Sequence, residues 1–520
     1  MSNLSLSAHT RRLVTQLDAA DHQPQPSGQT YHVASIGSSF YFAYEQLRNV
    51  AEYREHHLLL RSAIQRYLER YVRLDHFEPA AADLVTELTQ SGYLKNNTVP
   101  LVTIEQADAA LAGLAGVYQQ LRDHRVSRED AADWLYQYAS VQIENLLAPD
   151  PKGNVLMQFA YEHYFYCIDR SAAGVAKIAD HTYRIALFCA VQRALFKSDL
   201  ATTRYYCVSL SLPDLSGQPA ENIIELNRTI DRLYQGPHTN RLFRLVNRYG
   251  APLRILRELI MENSSFADLF ANRNETLSRV RSLCTQEYAA VRQSLGNRII
   301  KTILFIFLTK TLIGVSLEVP YDLFTSGAVS WQPLIINILF PVAYMVMIGS
   351  RISTPSRQNT EVVADYIDRI LYDGAGAPVV YKPKRRVTSK ALNATFTTIY
   401  VLAFFGSMAL LLWILQKLNF NVVNGIIFFI FLSAVSFLGL RLRTQAHELS
   451  LLDERQGVMQ AFIDTLTAPF MRVGHWLSDK YAKANIVTAI LDTAIEMPIK
   501  TSLRLLRQWV GFMRDKQEEL

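Results

Sequence analysis

Hydrophobic and polar positions follow two different regimes along this chain. Up to about residue 297 the apolar residues recur at steps of three and four with Arg and Glu between them, as in "YFAYEQLRNVAEYREHHLLLRSAIQRYLERYVRL" (41–74). That spacing predicts amphipathic helices that bury one face. From residue 298 the pattern changes to four nearly unbroken apolar runs, about 299–317, 332–349, 394–416 and 421–440. Each is long enough, as a helix, to cross roughly 30 Å of hydrocarbon.

Local signals refine both regimes. Ser127 precedes "REDAADWLYQYASVQIENLL" with Asp130 three positions on, a capping-box arrangement with Asp in place of Glu. "LLAPDPKGN" (146–154) interrupts the helical pattern. "YYCVSLSLPDLSGQP" (205–219) alternates like a strand but has no partner strand, so an irregular loop is expected. Leu277, Val280, Cys284, Tyr288, Val291 and Leu295 form one stripe, which predicts a stalk helix running into the first apolar run. Packing of that stripe within its own domain is the simpler reading, a coiled coil the more elaborate one. Ala446, Leu449, Leu452, Met459, Ile463, Leu466 and Phe470 form a second stripe leaving the fourth run.

The expected architecture is all-α. A mobile N-terminal tail (1–30) precedes a cytosolic helical domain (31–297), a four-span transmembrane region (298–440) and a cytosolic helical C-terminal tail (441–520).

Charge then orients this plan. Residues 1–297 hold 30 Lys and Arg against 31 Asp and Glu, a net of −1, whereas residues 298–520 hold 23 against 16, a net of +7. The basic excess belongs to the hydrophobic half, which argues against a nucleic-acid partner and for anionic lipid. The connector 350–393 carries eight basic residues against four acidic ones, while residues 318–331 carry Glu318 and Asp322 and no Lys or Arg. By the positive-inside rule both termini and the 350–393 loop face the cytosol, with a plasma membrane as the default setting. Cys167, Cys189, Cys207 and Cys284 form no C-x-x-C pair and do not read as a disulfide framework.

Candidate chemistry is sparse. Lys310 lies inside the first apolar run, about 10 Å from its outer boundary. Asn337 falls at a similar depth in the second run and Asn424 shallower on the same side in the fourth, and Pro341 frees the carbonyl of residue 337. Lys310, Asn337 and Asn424 are therefore expected to form an intramembrane polar cluster. It serves either as structural glue or as part of an ion or solute pathway. No Asp or Glu lies within the four runs, so the ammonium lacks a counter-ion unless Glu318 or Asp322 folds inward.

Lys382, Lys384, Arg385 and Arg386 could contact anionic headgroups or act only as a topology signal. Lys500, Arg504, Arg507 and Arg514 share one side of a final amphipathic helix that suits either an anionic membrane surface or a face of the cytosolic domain. Asp365 and Asp368 share a face of a short helix, and His163 and Cys167 lie four apart, but a solvated face and a packed aromatic stretch are the commoner explanations. P-loop, G-x-G-x-x-G, H-E-x-x-H and G-x-S-x-G motifs do not occur. No catalytic residue, metal or cofactor is expected. The leading expectation is a membrane-anchored interaction or regulatory protein with protein partners. The alternatives are an oligomeric channel or transporter around Lys310, and a lipid enzyme using Asp365 or Asp368.

Overall fold

The computed structural model describes residues 5–22, 28–34, 38–52, 55–263, 266–352, 354–376, 379–383, 390–452, 465 and 467–478. Among these the fold is all-α, with nineteen α-helices and three isolated β-bridges but no strand. Three helices are long and apolar enough to cross a membrane, Arg273–Ser326, Trp331–Ser350 and Val422–Ala446. A shorter apolar helix covers Val401–Lys417, inside the helix Lys390–Lys417.

The first half is built on two adjoining hydrophobic cores. One gathers Tyr67, Leu84, Leu111, Leu121, Trp134 and Ile230. The other gathers Leu17, Tyr164, Tyr183, Val246, Leu256, Phe270 and Cys284. Capping explains several helix starts. Ser127 accepts from the Asp130 amide at 3.0 Å and donates to its carboxylate at 2.7 Å, as the spacing predicts. The break at 146–154 is another start, where Asp150 accepts from the Gly153 amide at 2.9 Å and Pro151 sits in the first turn, where its missing N–H costs nothing.

Three expectations are corrected here. The segment 205–219 is helical in its first part, because Asp199 caps a helix Leu200–Ser211 that buries Ala201, Arg204, Cys207 and Val208. Those positions have helical spacing, which outweighs the local alternation. The N-terminal tail is not wholly free. Ser7 caps a helix Ala8–Asp21, and Leu13, Val14 and Leu17 of that helix enter the second core. The tail beyond the last apolar helix does not continue it. That helix ends at Ala446, residues 447–452 turn away, and residues 467–478 are helical, while Met459, Ile463 and Leu466 of the second stripe lie outside the described residues.

The largest departure from expectation concerns the connector between the second and third apolar helices. Its helix Arg357–Leu371 places Val363, Ala364, Ile367 and Leu371 in the second core beside Val280 and Cys284 of the stalk. Tyr381 follows them in at 1% exposure, bridged to Ile168, with its amide donating to the Cys167 carbonyl at 2.8 Å. The connector is thus part of the N-terminal domain, not a loop hanging from the bundle. Asn359 locks the junction. Its Nδ2 donates to the Tyr288 hydroxyl (2.7 Å) and the Leu449 carbonyl (2.8 Å), and its Oδ1 accepts from the Leu451 and Leu452 amides (2.7 and 3.2 Å). One buried amide therefore ties the stalk, the connector and the segment after the last apolar helix, with its donor and acceptor capacity in use.

The stalk stripe divides between the domain and the bundle: Val280, Cys284 and Tyr288 join the second core, while Val291 and Leu295 pack in a cluster with Ile306 and Met345 of the apolar helices. Val280, Cys284, Tyr288 and Leu295 are buried and Leu277 and Val291 half-buried.

Candidate functional site

The apolar bundle contains one concentrated polar site, and a helix irregularity assembles it. The stalk helix Arg273–Ile313 passes into a wide π turn, Gly314–Glu318, and resumes as Val319–Ser326. Pro320 has no amide to give an α-helical bond and would crowd the carbonyl four residues back, so the backbone widens just before it. In an unbroken α-helix, residues eight apart stand roughly 80° out of phase. A π turn absorbs one residue and cuts that offset to roughly 20°. Glu318 thereby comes onto the face of Lys310. Gly314 helps, since a Cβ there would lie 3.1 Å from Leu334 on the neighbouring helix.

Lys310 Nζ donates to Glu318 Oε1 at 3.0 Å, with the ammonium 4.6 Å from the centre of the Phe431 ring. Asn337 Nδ2 donates to Glu318 Oε2 at 2.8 Å and to the Asn424 backbone carbonyl at 3.2 Å. Lys310, Glu318, Asn337 and Asn424 are each at most 1% exposed. The structure therefore brings the three sequence-predicted residues together and adds Glu318, a residue read from sequence as part of an outer loop. Among the described residues, Asn337 Oδ1, Asn424 Oδ1 and Ser433 Oγ are buried without a hydrogen-bond partner.

A second tier lies beside it. Asp322, 2% exposed, accepts from the Ser330 amide at 3.0 Å and from Asn421 Nδ2 at 2.7 Å. Asn421 in turn caps the last apolar helix by accepting from the Asn424 amide at 2.8 Å. The stretch 318–331, expected as an external loop, is helical to Ser326, and its two carboxylates point into the bundle. Sequence reasoning named Asp322 only as a carboxylate that could fold inward, and missed Asn421. The usable signal was the pair of carboxylates four apart in "EVPYD", which reach one helix face.

Chemically, this site neutralises itself. An ammonium and a carboxylate in hydrocarbon are tolerable only as a hydrogen-bonded pair, and removal of either leaves the other uncompensated. The pair and its two amides fix the register of three helices. The unpartnered amide oxygens retain capacity for a water molecule or other donor.

The other sequence candidates resolve differently. Lys382 is exposed and pairs with Asp169 at 3.3 Å. Lys384, Arg385, Arg386, Lys500, Arg504, Arg507 and Arg514 lie outside the described residues. Asp368 is 6% exposed and held bidentately by Arg273, at 2.6 and 2.5 Å, and Asp365 pairs with Arg369 at 2.6 Å. Both acids are engaged as structural anions. His163 Nε2 hydrogen-bonds the Tyr381 hydroxyl at 2.9 Å, and Cys167 Sγ lies 3.8 Å from His163 Nδ1. Burial drives the His163 pKa down to about 3 and lifts the Cys167 thiol to about 11. The imidazole is neutral and the thiol protonated, which suits packing. Among the described residues no group of three or more His, Cys, Asp or Glu could hold a metal ion.

Comparison of the chain with protein-family models, curated proteins and solved structures finds no match.

Proposed function

We propose that this chain is a multi-pass membrane protein that anchors a cytosolic helical domain acting as an interaction or regulatory module. The observation that carries this reading is the placement of Val363, Ile367, Leu371 and Tyr381, from between two apolar helices, in the core of the N-terminal domain. A connector built into that core lies on the same side of a bilayer as the domain. This agrees with the positive-inside charge bias and puts most of the polar chain in one compartment. The domain is cross-linked to the bundle by Asn359, so a ligand or partner on it has a direct mechanical route to the apolar helices.

The test is crosslinking of the full-length protein in its native membrane followed by mass spectrometry. The reading predicts crosslinks from the N-terminal domain to another protein. Crosslinks confined to the chain itself would count against it.

A second reading, an oligomeric ion or solute pathway, draws support from the unpartnered Asn337 and Asn424 oxygens beside Lys310. It predicts flux in proteoliposomes that Lys310→Met alters. A lipid enzyme using Asp365 or Asp368 gains no support, because arginines occupy both carboxylates.

A further inference from the structure

A cleft of about 830 Å³ opens on the N-terminal domain, away from the bundle. It lies between the loop that follows the helix Pro151–Cys167 and the turn joining helices Ala220–Tyr234 and Pro237–Arg248. Its size falls within the range of small-molecule sites, roughly 300–1,000 Å³. Ile178 and Leu233 supply apolar wall, and Lys177, Arg232 and His238 supply polar groups. No Asp or Glu lines it. Lys177 and Arg232 make no ion pair among the described residues, and His238 Nδ1 is buried without a hydrogen-bond partner. Other cations of this domain do have carboxylate partners, as Arg61 has Asp199 at 2.5 Å and Arg66 has Glu45 at 2.6 Å. An apolar cleft with unopposed positive charge is complementary to an organic anion.

The walls are set in advance. Asp169 accepts from the Ser171 and Ala172 amides, both at 3.0 Å, and Arg170 pairs with Asp180 at 2.8 Å. Arg241 donates to the Gly174 carbonyl at 3.1 Å, and Gly174 takes a positive φ of 70° that favours glycine. Pre-set walls lower the ordering cost of binding. The same loop is tied to the connector, since the Asp169 amide donates to the Tyr381 carbonyl at 3.2 Å and its carboxylate holds Lys382.

We propose that this cleft binds a small phosphate monoester, its body against Ile178 and Leu233 and its phosphoryl group among Lys177, Arg232 and His238. This goes beyond the anchoring role and is independent of it, because the residues belong to the N-terminal domain alone. The experiment is isothermal titration of the full-length protein in detergent with phenyl phosphate, inorganic phosphate and phenol.

Phenyl phosphate should bind saturably at one site per chain, inorganic phosphate about tenfold more weakly, and phenol without saturation. The double variant Lys177→Gln/Arg232→Gln should lose about tenfold or more in phenyl phosphate affinity, with an unchanged Tm because both side chains are exposed. If the double variant melts earlier, Lys177→Gln alone serves, with a smaller loss expected. Absence of saturation by phenyl phosphate up to about 10 mM overturns the proposal, as does undiminished binding by the variants or equal binding of phenol.

Discussion

The N-terminal domain and the apolar bundle bury charge in opposite ways. In the domain, buried cations are distributed and many-handed. Arg204, 1% exposed, bonds Gln137, Asn227 and Asp231, and Arg61 bonds Gln65, Ser140, Ser62 and Asp199. In the bundle a single ammonium, Lys310, rests on one carboxylate and one aromatic ring. The domain can spread a lost contact over neighbours. Among the described residues of the bundle the alternatives are few, chiefly the unpartnered Asn337 and Asn424 oxygens. The contrast is the one expected between a water-facing fold, which offers many polar side chains per core, and helices apolar enough to cross hydrocarbon, which tolerate only what is internally satisfied.

This difference can be broken at several points, with effects of decreasing size. A fragment ending at residue 297 omits Val363, Ile367, Leu371 and Tyr381 from the second core. It is expected not to fold, as read by loss of a cooperative melt. A fragment melting like the full-length domain would separate the connector from the core.

Within the bundle, Lys310→Met strands the Glu318 carboxylate and should cost about 3–5 kcal/mol in detergent unfolding. The double variant Lys310→Met/Glu318→Leu should recover most of that loss, since replacing both partners removes the uncompensated charge. A double variant as unstable as the single one would mean that the pair is not coupled.

The smallest effect concerns pH. His163 has a folded pKa of about 3, below its ordinary 6.5, so the unfolded chain binds more protons between these values. Its contribution is intact above pH 6.5 and is lost as pH falls toward 3, at up to about 1.4 kcal/mol per unit. Between pH 6.5 and 5, before most carboxylates titrate, Tm should fall less steeply in His163→Gln than in the native chain. Parallel slopes would contradict the buried neutral imidazole.

The sequence made the division between these regions readable, and much of the polar cluster with it. Lys310, Asn337 and Asn424 stood out because polar residues are rare in such apolar runs. Glu318 entered only as a carboxylate outside the runs that could fold inward, because Pro320 looks like the end of a span and hydropathy has no signal for a π turn that carries the helix past it. The helix in the connector showed in the sequence as the short helix carrying Asp365 and Asp368. Its destination was hidden, since an apolar face names no partner. Asn359 was equally invisible: one amide among polar neighbours becomes a junction only when Tyr288 and residues 449–452 converge on it.

The central claim is that the N-terminal domain and the connector share one compartment, while the tip of the first apolar hairpin faces the other. The direct measurement introduces Lys382→Cys and Phe324→Cys separately and applies a membrane-impermeant maleimide to intact cells expressing each variant. Both native positions are exposed, Phe324 at 91%. Phe324→Cys should label in intact cells, and Lys382→Cys only after permeabilisation. Labelling of Lys382→Cys from outside, or of both positions from one side, would contradict the account.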